Sequence, residues 1–333
     1  MNKTMTVLLI AVVLSVNIGC NRKGEHGSTK QQETVIIAVS PQPVSAPLYV
    51  AFEKGFFERE GLRVTLQSYT SGKDALNAVI GGKAHLGTAA ETPVMIAGLK
   101  GEKIYVIATL AESDKYMKII ARKDRGISIP ADLKGKKIGV SPGTNGEFYL
   151  HAYLTVNHLA KKDVQAVDVL PKDMVDALVT GKVDAVSTWV PHTTTLQHKL
   201  GSNALIIDDH GIYVMTWNVA ATQDFVKSHP AQIENFLRAV LRANKFIKER
   251  PDEARAITAK HIGMDMPMLS ETWDLYGFNT VLNQSLILSL EDQARWMIKK
   301  EAGSARRTPN FVDFVYADGL KTVQPEAVRI SGK

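Results

Sequence analysis

One short pattern occurs twice in this chain, and that repetition limits the fold more than any other feature. Val35-Ile36-Ile37-Ala38-Val39-Ser40-Pro41 is a β-branched apolar run closed by Ser-Pro, and Lys137-Ile138-Gly139-Val140-Ser141-Pro142 repeats it at an offset of 101 residues. Ala75-Leu76 leads through Gly82-Lys83-Ala84-His85-Leu86-Gly87-Thr88 to Pro93. Ala177-Leu178 leads through Gly181-Lys182-Val183-Asp184-Ala185-Val186-Ser187 to Pro191, at an offset of 99. Two patterns in the same order at nearly the same offset predict two similar lobes. In each copy the first pattern is a buried strand, a loop and a helix. The second is a helix ending at a Gly-Lys turn, followed by a short strand. Such alternation predicts an α/β fold with mixed, mostly parallel sheets flanked by helices. Ligands of such sheets bind outside the carboxyl ends of the strands.

The intervening segments read more plainly. Leu48, Ala51 and Phe52 mark a helix face that Gly55 stops, and the pair Phe56-Phe57 is expected to join the core. Ala204-Leu205-Ile206-Ile207-Asp208 and Tyr213 to Ala221 are strand candidates. From Pro230 to about Lys300 the helical period dominates, with a stripe of Ile233, Phe236, Leu237, Val240, Leu241, Phe246 and Ile247. Met264, Met266 and Met268 have no His or Cys among them, so packing is expected there and not a metal.

The first nineteen residues are a different material. Lys3 is a positive start, Val7 to Val16 is an apolar run too short for a permanent membrane span, and Asn17-Ile18-Gly19 leads to the only cysteine, Cys20. That is the layout of a secretory signal. Its end resembles the lipobox of bacterial lipoproteins, although Asn17 stands where Leu is usual. The resemblance implies cleavage before Cys20 and acylation of its thiol. Residues 20–33 are polar and read as a tether that would hold the domain on a membrane. One cysteine allows no internal disulfide. The formal net charge of +6 is carried by scattered Lys and Arg pairs, which argues against nucleic acid.

Taken together, the chain resembles the periplasmic substrate-binding proteins of the nitrate, sulfonate and taurine importer family. The resemblance is carried by the strand into Ser40-Pro41, Ala46-Pro47-Leu48-Tyr49-Val50-Ala51, and Lys54-Gly55-Phe56-Phe57-Glu58-Arg59-Glu60-Gly61-Leu62. It continues through Gly82 to Thr88, Ile138 to Thr144, and Gly181 to Ala185. His85 stands where the family usually shows Asp. The resemblance implies a two-lobed type II periplasmic-binding-protein fold, with lobe one at 34–112 and 216–333 and lobe two at 113–215. It implies an exported, lipid-anchored monomer at the periplasm or cell surface, serving the permease and ATPase of an ABC importer, with no cofactor and no catalysis. Its contact loops fall on Pro41, Gln42, Ser71, Gly72, Thr88, Glu91, Thr144, Asn145, Thr188 and Trp189, with Tyr213 or Trp217 from a later strand.

The chemistry of those loops can be read separately. Free N–H groups at the helix start after Ser141-Pro142-Gly143-Thr144-Asn145 suit an anion, and Ser71-Gly72 offers a matching start from the first lobe. Thr144 or Asn145 is equally a plain helix cap. Trp189 suits an apolar part of the ligand. Glu91 is expected mainly as a helix-start carboxylate; pointing into the cleft, it would instead suit an amine and hence a zwitterion such as taurine. A thiamine-pathway pyrimidine is the alternative ligand. An enzyme on the same fold is the rival class, but no Gly-x-Ser-x-Gly, His-Glu-x-x-His, Cys-x-x-Cys or phosphate loop is present. A sensor domain would need an attached output module.

Overall fold

In the computed structural model, which describes residues 34–207, 211–301 and 307–331, the repeated pattern becomes one strand unit built twice. The signal segment 1–19, Cys20 and the 20–33 tether lie outside the described residues. In chain order the strands begin with β1 (Thr34–Val39), β2 (Arg63–Ser68), β3 (Leu86–Ala90), β4 (Ile104–Ser113), β5 (Met117–Arg122) and β6 (Lys137–Val140). They continue with β7 (Gln165–Asp168), β8 (Ala185–Trp189), β9 (Ala204–Ile207), β10 (Met215–Thr222), β11 (Gly277–Asn283) and β12 (Val328–Arg329).

Two sheets result, ordered β12-β11-β4-β10-β3-β1-β2 and β7-β6-β8-β5-β9. Both contain a central strand flanked by two parallel neighbours. Ile37 pairs with Leu86 and Ala38 with Gly87 in the first; Ile138 pairs with Ala185 and Gly139 with Val186 in the second. These registers coincide under the same two sequence offsets. In each sheet an antiparallel strand then closes the unit, β10 on β3 and β5 on β8. Each follows a passage of the chain from one sheet to the other, so the two crossings carry equivalent strands. The sheets are therefore mixed, with parallel pairing in the repeated units, between β1 and its neighbours and between β6 and its neighbours, and once more at the β11–β12 edge.

Helices cover the sheets by ordinary apolar burial. Gly87 shows how closely: a Cβ there would meet Val79 Cγ2 at 2.7 Å and the Ala75 carbonyl at 2.9 Å, so the Gly72–Ile80 helix lies directly on β3. Gly55 adopts φ +65 after the Ala46–Glu53 helix, ending it as the sequence predicts. Phe57 is fully buried and stacks on Phe236 at 5.8 Å, which places the phenylalanine pair in the core. Burying such a side chain contributes roughly 1.5–3 kcal/mol. Of the predicted stripe, Ile233, Phe236, Leu237, Val240 and Ile247 are buried on the Pro230–Glu249 helix.

Two local expectations change. The helical stretch up to Lys300 is interrupted by β11, where Phe278, Thr280 and Leu282 face inward with a period of two; the polar Thr280 hid that alternation. The methionines do not all pack: Met264 lies against the core, whereas Met266 is exposed on the Met266–Trp273 helix. The helix after Ser141-Pro142 runs from Asn145 to Val156 and ends before His158, which takes a positive φ of 55. Among the described residues no helix is long and apolar enough to cross a membrane, and no group of three or more His, Cys, Asp or Glu is placed to hold a metal ion.

Candidate ligand cleft

Where the two sheets face one another, two helices begin on opposite sides. On one side Ser71 is the N-cap of the Gly72–Ile80 helix: its Oγ accepts the Asp74 N–H at 3.2 Å and donates to Asp74 Oδ2 at 2.8 Å. On the other, Thr144 caps the Asn145–Val156 helix, accepting the Gly146 N–H at 3.2 Å and donating to the Ser141 carbonyl at 2.7 Å. Thr144 is thus a cap. The N–H groups of Gly72, Lys73 and Asn145 have no acceptor within their own helices, as geometry requires of a first turn. The positive ends of two helix dipoles converge on one space.

Aromatic rings form the rest of its wall. Trp217, Trp189 and Tyr116 line the space with Gln42, Lys73 and the two capping residues. Gly72 lies so close to Trp217 that a Cβ would meet its Cη2 at 2.9 Å, and Gly146 stands likewise under Trp189, at 3.3 Å from Cζ3. The two ring positions are set by glycines at the starts of the two helices. Trp217 is fixed further by donating Nε1–H to Ser45 Oγ at 3.0 Å. The Tyr116 hydroxyl donates to Gln42 Oε1, whose amide nitrogen donates to Ser40 Oγ at 2.8 Å. Lys73 brings the one cationic side chain among these wall residues, and its Nζ donates to the Pro142 carbonyl at 3.1 Å. The space left is about 10 Å³, room for a single water. Anything larger needs more room than this arrangement leaves.

Seven of the residues singled out in the sequence meet here: Gln42, Ser71, Gly72, Thr144, Asn145, Trp189 and, rather than its alternative Tyr213, Trp217. Four do not line the space. Pro41 is half-buried beside it. Thr88 is fully buried on β3 and accepts the Ser40 N–H at 3.2 Å. Thr188 pairs with Lys118 inside the second sheet, with its buried Oγ1 lacking a hydrogen-bond partner among the described residues.

Glu91 is the fourth. It starts the Glu91–Leu99 helix, fully buried, and its carboxylate accepts from the Tyr213 hydroxyl, Thr216 N at 2.9 Å, Thr216 Oγ1 at 3.1 Å and Gln293 Nε2 at 3.0 Å. Burial pushes this carboxyl up, against the opposing pull of those donors. Thr92 and Ser289 extend the network through Gln293. With its oxygens taken by these donors, Glu91 organises the passage between the sheets.

Tyr116, Lys73 and Gln293 are not among the residues to which the sequence points. Lys73 follows Ser71-Gly72 directly, so the helix start was itself a signal. Tyr116 stands at the crossing between β4 and β5, and Gln293 arrives from a distant helix; neither carries a local mark.

Residues 42–254 match the model of the family described as NMT1/THI5 like. A Bacillus subtilis (strain 168) protein named as an aliphatic sulfonates-binding protein is 25% identical over 302 residues, covering 89% of this chain and 90% of that one. The taurine-binding periplasmic protein of Escherichia coli (strain K12) is 24% identical over 226 residues, covering 67% and 69%. The 4-amino-5-hydroxymethyl-2-methylpyrimidine phosphate synthase of Aspergillus parasiticus is 26% identical over 226 residues, covering 64% and 65%, so the similarity extends to an enzyme. Among solved structures, the alkanesulfonate-binding protein of Xanthomonas axonopodis pv. citri bound to MOPS superposes with a TM-score of 0.75 at 16% identity, over 85% of this chain and 98% of that one.

Proposed function

Since this chain belongs to the NMT1/THI5-like family, we propose that it is an exported solute-binding protein that captures a small organic sulfonate between two lobes. Lobe one comprises 34–112 and 216–333, and lobe two 113–215. The observation that carries this reading is the convergence of two helix starts beneath two tryptophans. The free N–H groups of Gly72, Lys73 and Asn145 suit the oxygens of a tetrahedral anion, with the Lys73 ammonium beside them. The Trp189 and Trp217 rings suit its organic body. A bare nitrate would leave those rings unused, whereas an alkane- or arylsulfonate uses both ends. Gln42 and Tyr116 would orient the ligand across the cleft.

On this reading acyl chains on Cys20 anchor the protein, the 20–33 tether gives it reach, and the closed form hands its ligand to the permease of an ABC importer driven by its ATPase. The protein works as a monomer, without cofactor and without turnover. The similarity to a pyrimidine-phosphate synthase and the ring-lined cleft support a second reading, a thiamine-pathway pyrimidine held flat between the tryptophans.

A thermal-shift screen separates the two. Taurine, alkanesulfonates, MOPS, nitrate and pyrimidines are tested at high excess; a ligand at a hundred times its Kd adds roughly 2.7 kcal/mol of stability. A shift with sulfonates that Gly72→Ala abolishes supports the first reading, and a shift with pyrimidines alone replaces it.

A further inference from the structure

We propose that Glu147 and Lys300 form a clasp that sets how tightly the cleft closes, with Glu147 as a positioning residue that ties a ligand loop to the opposite side. The inference rests on the cleft being the ligand site. Glu147 lies in the first turn of the Asn145–Val156 helix, on the side of the second sheet. Lys300 is the last residue of the Gln284–Lys300 helix, on the side of the first.

The two oxygens of Glu147 have separate duties. Oε2 accepts the Gly143 N–H at 2.9 Å, and Oε1 accepts Lys300 Nζ at 2.5 Å. In an ordinary capping box a glutamate at this position reaches back to the N–H of the cap itself. Here it reaches one residue further, to Gly143, whose φ of +71 is open to glycine at little cost. The carboxylate therefore fixes the turn that presents the Asn145 N–H while holding a cation from across the cleft. Lys73 grips the same turn at the Pro142 carbonyl.

The pair is sheltered enough to matter. The Glu147 and Lys300 side chains are 15% and 27% exposed, and Lys300 Nζ lies 5.5 Å from the centre of the Trp296 ring. Trp296 in turn stacks on His151 at 5.6 Å and meets Phe148 edge-on at 5.3 Å, both on the Glu147 helix. A partly desolvated ion pair against an aromatic wall is stronger than an exposed one. Separating the two sides breaks this pair, the Trp296 contacts and the Lys73 bond together. The clasp adds to closed-state stability without touching ligand, and so raises apparent affinity by population shift.

The test uses the full chain with Lys300→Met, Glu147→Gln, both together, and Lys300→Arg. Glu147→Gln keeps one acceptor oxygen for Gly143 and replaces the charged oxygen that faces Lys300 with an amide nitrogen. Small-angle scattering reads closure without ligand, and calorimetry with MOPS reads affinity. Lys300→Met and Glu147→Gln are each expected to enlarge the particle or weaken MOPS about fivefold, close to 1 kcal/mol. The double variant goes no further than either single, and Lys300→Arg stays near wild type. Unchanged size and affinity in Lys300→Met overturns the clasp, as does full additivity in the double variant. Failure of the wild type to bind MOPS counts against the sulfonate reading, and scattering then decides on the clasp alone.

Discussion

His85 Nδ1 accepts the backbone N–H of Ile36 at 2.9 Å, and in the second sheet Asp184 Oδ2 accepts that of Lys137 at the same distance. The two bonds coincide under the offsets of the internal repeat, so an imidazole does in one copy what a carboxylate does in the other. The task is to satisfy an amide of a central strand, the third of β1 and the first of β6, where the turn before its neighbour arrives. His85→Asp is expected to keep the melting temperature near wild type, whereas His85→Leu orphans the Ile36 N–H and loses about 1–2 kcal/mol. Equal losses in chemical denaturation of both variants would refute the equivalence.

Gly72→Ala probes the wall of the cleft. Its Cβ would meet Trp217 at 2.9 Å and the Ala89 Cα at 3.1 Å. Trp217 must move, losing its bond to Ser45, at a cost of about 1–3 kcal/mol. Near-ultraviolet circular dichroism should report the ring displacement, with ligand binding reduced further than stability.

Glu91 divides a structural from a recognition role. Glu91→Ala leaves the Tyr213 hydroxyl and both Thr216 donors without this acceptor and leaves Gln293 Nε2 with Ser289 alone, and on the order of 3 kcal/mol of stability is expected to go. A stable Glu91→Ala protein that had lost only its affinity would instead place this carboxylate on a ligand amine.

His192 gives a pH signature. Burial beside Trp189 pushes its imidazole down to about 4. The unfolded chain takes up a proton near pH 6.5 and the folded one near 4, so above pH 6.5 stability is unaffected. It falls as pH drops between those values, by at most about 3 kcal/mol. His192→Gln should flatten this part of a stability-against-pH curve measured by urea denaturation.

Much of the fold was legible because it was written twice. Local patterns marked the strands into Ser40 and Ser141, the stop at Gly55 and the core stripe of the Pro230 helix. Helix starts at Ser71 and Thr144 could be read because capping is a property of a few adjacent residues. β11 was not, since Thr280 faces inward and disguises the period of a strand whose partner β4 lies far away in sequence.

By itself, then, the sequence determined the α/β class, the duplicated unit and the two helix starts that face the cleft, because each depends on spacing within a short stretch. The tertiary structure decided what long-range packing brings together. Tyr213 and Gln293 converge on Glu91 from 122 and 202 residues away, and Lys300 reaches Glu147 across 153. It also decided that Thr88 and Thr188 are fully buried on their strands while Lys73 and Tyr116 line the cleft. Which face a side chain presents follows from the neighbours its backbone pairs with, and those neighbours are fixed only when the whole sheet has formed.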